Sequence, residues 1–364
     1  MSFRKFLAAV STAALAATTF AMPAQAADIS ITGSGSSFVS NYLEACRPIF
    51  TAAEGVGVTY NPTGSGTGRS QFTSKVVDFA ASDTAFGSTE KKPAEFGYVP
   101  LVAGPIAIMY NLPTLKYPLN LTQENVAEIF AGKITKWNDA KLVANNKTVK
   151  VTAVDPKTKK KATKTVKVTL PNLPIKVYYR SDKSGTSEVF TDYLSTVAPT
   201  VFSKGKNGTF ASAVPNIPTD GSFQGASGSD GVATGAKSSV GAITYGEISF
   251  AKERKLAVAN VRNEGGVFMA PTAKSASAFL SDSVVANGAI KVNFKNTDKA
   301  AYNISAFAYG LVYTAGQDAA KAAAVKKFFS YMVSGKCTAE AGRLGYAPVS
   351  GAARSLAIAM LDKL

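Results

Sequence analysis

The sequence predicts an α/β fold of two domains. Short apolar strands alternate with helix-patterned segments along most of the chain. Several of those strands end in loops of glycine and small hydroxyl residues. The length of 364 residues, with 46% hydrophobic and 18% charged, is enough for two domains with cores of their own.

Residues 1–26 are set apart first. Arg4 and Lys5 precede an apolar run from Phe6 to Phe20 and then Ala24-Gln25-Ala26, the pattern of a secretory signal cut before Ala27. The run is short and rich in Ala and Thr for a membrane span, and no later stretch reaches the ~20 apolar residues that spanning needs. The expectation is an exported, soluble, periplasmic or secreted protein. No Cys follows the cleavage position, so nothing supports a lipid anchor there.

Ile29 to Gly33 reads as the first strand. It leads through Ser34-Gly35-Ser36-Ser37 into a helix with apolar positions Phe38, Val39, Tyr42, Leu43, Cys46, Ile49, Phe50 and Ala53, a single face by spacing. Pro48 is expected to kink that helix or end it early. Val56 to Tyr60 is a second strand, followed by the loop Thr63 to Gly68 and a helix near Ser70 to Val76. Val77 to Asp83 is a short buried strand with a polar end. Leu101 to Tyr110 is a long apolar strand suited to cross between domains, and a helix follows near Thr122 to Ala131. Strand Ile175 to Tyr179 delivers Arg180; the loop Gly225 to Gly231 precedes another helix and the strand Val240 to Tyr245. The chain is expected to return to its first block between Val261 and Ile304 and to close with a helix over Ala319 to Val333. The domains then read as 27–106 with 268–364, and 107–267. Trp137 and the Tyr residues read as packing.

The formal net charge is +16, two units of which leave with Arg4 and Lys5. Much of it is local: Lys147 to Lys167 holds eight Lys and one acid, Asp155. The alternation of Thr148 to Thr152 and Thr165 to Thr169 around Asp155-Pro156-Lys157-Thr158 predicts a β-hairpin with a lysine-rich tip, inserted at about 147–170. It reads either as a solvated protrusion or as a collector for anions or a contact to an anionic surface. Nucleic acid is not expected, because the tip lacks aromatics and Arg to stack on bases. The chain contains no His, which excludes a His-based triad and a His-ligated metal. Cys46 and Cys337 are the two cysteines. In an oxidising compartment they can pair, and Cys46 fits equally as a small hydrophobe on a helix face.

Two stretches carry the chemistry: Thr63-Gly64-Ser65-Gly66-Thr67-Gly68, and Arg180-Ser181-Asp182-Lys183-Ser184-Gly185-Thr186. Glycine with hydroxyl residues lets backbone N–H and side-chain O–H groups converge on an oxyanion. Taken singly, each signal has a plainer reading: a Gly/Ser loop is usually a turn, Asp83 a helix cap, Arg180 with Asp182 a surface pair. Neither loop fits a dinucleotide or Walker pattern. Their joint occurrence at strand ends reads instead as two halves of a phosphate-sized clamp, since ligands of parallel α/β sheets bind beyond the carboxyl ends of strands.

At this point the residues resemble a known family. Gly33 through Phe38, Tyr60 through Gly68, Val77 through Asp83, Ile129 through Asp139, Arg180 through Ser187, Gly228 through Val232 and Gly241 through Tyr245 are similar, in order, to motifs of the periplasmic phosphate-binding proteins that feed the phosphate-specific ABC importer. The resemblance covers nearly the whole mature chain. It implies a two-domain "flytrap" of the type II periplasmic-binding-protein fold, with a hinge-bordered cleft that buries inorganic phosphate. By matching position, it implies contacts from Ser37, the Phe38 backbone N–H, Ser65 and Asp83 on one side. Arg180, Ser184, the Gly185 backbone N–H and Thr186 would supply the other, with Asp182 orienting Arg180. It further implies a monomer without cofactor, a transmembrane permease as partner, and no enzymatic activity. Departures are Ser37 where Thr is familiar, Gly66-Thr67 where Ser-Gly is familiar, Arg69 as a further positive charge near the cleft, and the lysine hairpin as an insertion.

A buried dianion is costly unless its oxygens are hydrogen-bonded, and this set supplies hydroxyls, amides and one guanidinium fork. Asp83 is expected to discriminate, because a carboxylate beside an anion is tolerated only where the anion has a proton to donate. Phosphate has one at neutral pH; sulfate does not. Two other functions are compatible with the sequence: a secreted phosphate-binding or adhesion protein working through its basic surface, and a phosphatase using Ser184 or Thr186, which lacks an evident base or metal set.

Overall fold

The computed structural model describes residues 29–154 and 161–364. The signal at 1–26 and the turn Asp155 to Thr158 fall outside the described residues. At the centre is one sheet of ten strands, with eight in a continuous path: 56–61, 29–35, 79–82, 305–313, 96–110, 242–247, 176–180 and 223–226. The first three run parallel to one another, as do the last three. Strand Ser305–Tyr313 and strand Phe96–Tyr110 lie antiparallel in the middle.

Strand Phe96–Tyr110 is buried at every position but its first, as its unbroken apolar run requires of a strand covered on both faces. It changes partner midway. From Phe96 to Pro105 it pairs with Tyr313–Ser305, and from Ile106 to Tyr110 with Glu247–Ile243. Prolines mark the irregularities, since Pro offers no N–H to a ladder. A register shift between Ala308 and Tyr309 faces Pro100, and the partner switch follows Pro105.

Several expectations are corrected. Helix Ser40–Glu54 runs through Pro48 without ending. Pro48 and Glu44 face solvent, so the carbonyl that loses its N–H partner meets water. Tyr42, Leu43, Cys46 and Phe50 bury the opposite face, and Cys46 is joined to Cys337 by a disulfide with Cα atoms 5.7 Å apart. Helix Ser65–Thr73 begins inside the glycine-rich stretch read as a loop, because Gly64 at φ +92° turns the chain directly into the helix. Likewise Gly228–Ser238 takes up half of the second expected loop.

Ala319–Val333 is a helix as expected, but it does not close the chain: Thr338–Leu344 and Gly351–Leu361 follow. The last buries Ala353, Ala357 and Leu361, a stripe too small-sided to stand out as a periodic face. Thr148–Val154 and Lys161–Lys167 pair antiparallel over seven residues each, as a separate two-stranded ribbon. Lys147, Lys150, Lys161, Lys164 and Lys167 are exposed on it. Trp137 is fully buried, its indole N–H donating to the Gly241 carbonyl at 2.9 Å. Among the described residues, no helix is long and apolar enough to cross a membrane.

Candidate functional site

All the candidate polar residues sit at or just past the carboxyl ends of the parallel strands, where side chains are free of ladder pairing. Strand Ile29–Gly35 delivers Ser36 and Ser37, strand Phe79–Ser82 delivers Asp83, and strand Lys176–Arg180 ends on Arg180 itself. Two helices begin at the site, Ser65–Thr73 and Gly185–Val197. Their N-terminal amides add partial positive charge.

The structure brings the residues from the two half-sheets into direct contact. Thr186 Oγ1 donates to Asp83 Oδ2 at 2.7 Å, and the Ser36 hydroxyl donates to Asp83 Oδ1. The Asp83 backbone N–H donates to Ser65 Oγ at 3.3 Å. Ser37 and Ser229 hydroxyls lie 2.9 Å apart, and the Ser229 N–H donates to Ser37 Oγ at 3.0 Å. Arg180 Nη1 reaches the same Ser229 Oγ at 3.3 Å. A further bridge runs from the Gly66 N–H to the Lys183 carbonyl at 2.9 Å. Ser184 Oγ caps its helix by accepting the Ser187 N–H at 3.1 Å, which leaves its own proton to donate. The Phe38 N–H donates to Ser36 Oγ at 3.1 Å.

Charge in this cluster is closely held. Arg180 is 1% exposed, and Asp182 grips it bidentately, Nε to Oδ1 at 2.7 Å and Nη2 to Oδ2 at 2.5 Å. Burial alone would raise the Asp182 carboxyl. The Arg180 hydrogen bonds and charge, with the Gly228 N–H at 3.0 Å, outweigh it and hold the carboxyl below its usual range. Asp83 goes the other way: burial raises it to about 6, against the lowering effects of Ser36, Thr186, Arg180 and Arg69.

Ser36 and Ser229 were missed as members of the cluster. Ser36 stands next to Ser37 in a run of small residues, and sequence gives no way to tell which hydroxyl turns inward. Ser229 lies within the Gly225 to Gly231 stretch, so its signal was present. Arg69, expected as charge near the cleft, is 2% exposed; it donates to Ser82 and Thr84 on either side of Asp83 and lies 3.7 Å from Glu188 on the helix of the other half.

Gly185 fixes how close the halves approach. A Cβ there would lie 2.5 Å from Ser65 Oγ and 3.0 Å from Asp83 Cβ and N. Gly185→Ala is therefore expected to hold the halves apart. We expect it to weaken anion binding by on the order of tenfold while changing the melting temperature little, because overpacking costs about 1–3 kcal/mol and here falls on closure rather than on either core. Calorimetric titration beside a thermal melt checks this.

Two half-sheets joined through one long strand, with an oxyanion-sized cluster of donors where their strand ends meet, define a cleft-type solute-binding protein. The chain carries a PBP superfamily domain over residues 19–336. It belongs to the PstS family of phosphate-binding proteins. The phosphate-binding protein PstS of Xylella fastidiosa strain 9a5c is 29% identical over 328 residues, covering 89% of this chain and 83% of that protein. Phosphate-binding protein PstS 3 of Mycobacterium tuberculosis is 30% identical over 331 residues, covering 87% and 81%. Among solved structures, the high-affinity periplasmic phosphate-binding protein PfluDING, bound with phosphate, superposes with a TM-score of 0.68 over 91% of this chain and 93% of that one. At 22% identity that likeness speaks to the fold.

Proposed function

We propose that the protein binds inorganic phosphate between the two half-sheets and delivers it, as a periplasmic monomer, to the transmembrane permease of an ABC importer. One observation carries the reading: a guanidinium fixed by its own carboxylate and a carboxyl acceptor, from opposite half-sheets, meet in one cluster of hydroxyls and helix-start amides. In this reading Ser37, the Phe38 N–H, Ser65 and Asp83 hold phosphate from the domain formed by 27–106 and 268–364. Arg180, Ser184, the Gly185 N–H and Thr186 hold it from 107–267. The hinge lies where strand Phe96–Tyr110 changes partner. Closure around the anion makes the shape that a permease recognises. The reading is binding without turnover, in keeping with the family.

Isothermal titration with phosphate, arsenate and sulfate tests it. Saturable heat with phosphate and none with sulfate is expected well above the Asp83 value of about 6; no heat with phosphate ends the proposal. Phosphate released from a nitrophenyl ester by the pure protein would count against the binding-only reading. Deleting 147–170, a ribbon separate from the main sheet, is expected to leave the phosphate dissociation constant within about twofold, since screened exposed charges act weakly on a buried site. A larger loss would make the ribbon part of the phosphate route.

A further inference from the structure

Arg69 stands one helical turn after Ser65 on the helix that opens at the site. A buried guanidinium is costly unless all its partners are in place, and here they are. Nη1 donates to Ser82 Oγ and to Thr84 Oγ1, both at 2.9 Å. Those are the two neighbours of Asp83 in the chain. Nε donates to Glu90 Oε2 at 3.0 Å, and Nη2 lies 3.7 Å from Glu188 Oε2. Thr84 Oγ1 in turn donates to Glu188 at 3.0 Å, and Lys183 holds the other Glu90 oxygen at 3.0 Å. Arg69 thus grips the Ser82-Asp83-Thr84 turn on both sides of the acid without touching the acid.

We propose that Arg69 is the positioning residue for anion selectivity: it aims Asp83 into the cleft through Ser82 and Thr84, and adds its charge to that of Arg180 near the carboxylate. The inference rests on the phosphate reading above. An ionised Asp83 demands a proton from the incoming anion and so rejects sulfate. A protonated Asp83 donates instead and admits it.

The groups that face Asp83 come from every side. Arg69 and Arg180 favour its ionised form, as do the Ser36 and Thr186 hydroxyls; burial opposes them. The Tyr60 and Tyr346 phenols, both held well above their ordinary values by burial, stay neutral beside it. Glu188 is the nearby acid, one hydroxyl away through Thr84. Both cations are paired with acids, Arg180 with Asp182 and Arg69 with Glu90 and Glu188. Arg69 is the one bonded to both chain neighbours of the acid.

The experiment pairs Arg69→Gln with Arg69→Lys. Carbon-detected NMR follows the Asp83 carboxyl titration in the ligand-free protein, and calorimetry follows phosphate and sulfate binding from pH 5 to 9. With Arg69→Gln, the Asp83 midpoint is expected to rise. The pH at which sulfate begins to compete should rise with it, so that the preference for phosphate at neutral pH falls severalfold. Arg69→Lys, which keeps the charge, should restore most of both. A purely structural role would lower the melting temperature and weaken both anions alike without moving either midpoint. That result in a folded Arg69→Gln overturns the proposal. If Arg69→Gln does not fold, Ser82→Ala with Thr84→Val serves: removing the two hydroxyls that Arg69 holds should move the Asp83 midpoint and the sulfate threshold together, and unmoved values overturn the proposal equally. The titration needs no phosphate, so a failure of the phosphate reading itself would show separately, as absent heat in the unaltered protein.

Discussion

Arg180→Ala is expected to weaken phosphate binding by about two to three orders of magnitude. Removing one member of a buried ion pair typically costs 3–5 kcal/mol, and each 1.4 kcal/mol is a tenfold change in affinity. Arg180 is fully buried and bidentate to Asp182, so truncation removes the fork and also leaves Asp182 as a half-buried carboxylate with the Gly228 N–H as its remaining strong partner. The negative charge so exposed to the cleft repels the ligand. Adding Asp182→Asn should recover thermal stability without recovering affinity, because the orphaned charge goes but the donor fork does not return. Arg180→Lys should fall between, since an ammonium restores charge without planar geometry. An unchanged dissociation constant for Arg180→Ala would place the anion elsewhere.

Asp83→Asn is expected to change which anion binds more than whether phosphate binds. The amide both accepts and donates, so a sulfate oxygen that meets a repelling acceptor in the native protein meets a donor in the variant. An unsatisfied buried group costs about 1–3 kcal/mol, and like-charge repulsion adds to it. The preference for phosphate over sulfate should therefore shrink by on the order of tenfold to a hundredfold, read by competition calorimetry. Equal sulfate rejection in the variant would refute the carboxylate argument.

The pH dependence has a definite sign. The Asp83 carboxyl is raised from 3.8 to about 6, mainly by burial. Above about 6 it is an acceptor and sulfate is refused; as pH falls through that value it becomes a donor, and refusal weakens. The asparagine variant should show no such step. Linkage gives a second reading of the same shift. The ligand-free fold holds the Asp83 proton more tightly than the unfolded chain does, so this contribution to stability is full below about 4 and is lost as pH rises through about 6.

Much of the candidate site was legible because it is local. Arg180 to Thr186 is one strand end, one tight turn and one helix start, so residue types at fixed spacing specify its geometry without help from the rest of the chain. Asp83 was legible for the same reason, as the polar stop of a short buried strand. What depends on distant packing was not. Pro48 gave a breaker signal that the buried face of its helix and a solvent-facing carbonyl overrode. Thr338–Leu344 and Gly351–Leu361 present faces of alanine too weak to register alone. They exist as helices because the core offers a surface for them.

By itself, the sequence determined the α/β class, the order of the strands that carry the site, and the polar residues placed at their ends, because backbone preference and side-chain alternation act over a few residues. Only the tertiary structure decided that Ser37 meets Ser229, that Thr186 meets Asp83, and that Arg69 bonds both chain neighbours of the acid. Those contacts join segments roughly a hundred or more residues apart, or depend on which way a buried side chain can turn. They follow from how two half-sheets share one strand, a property of packing that no single segment contains.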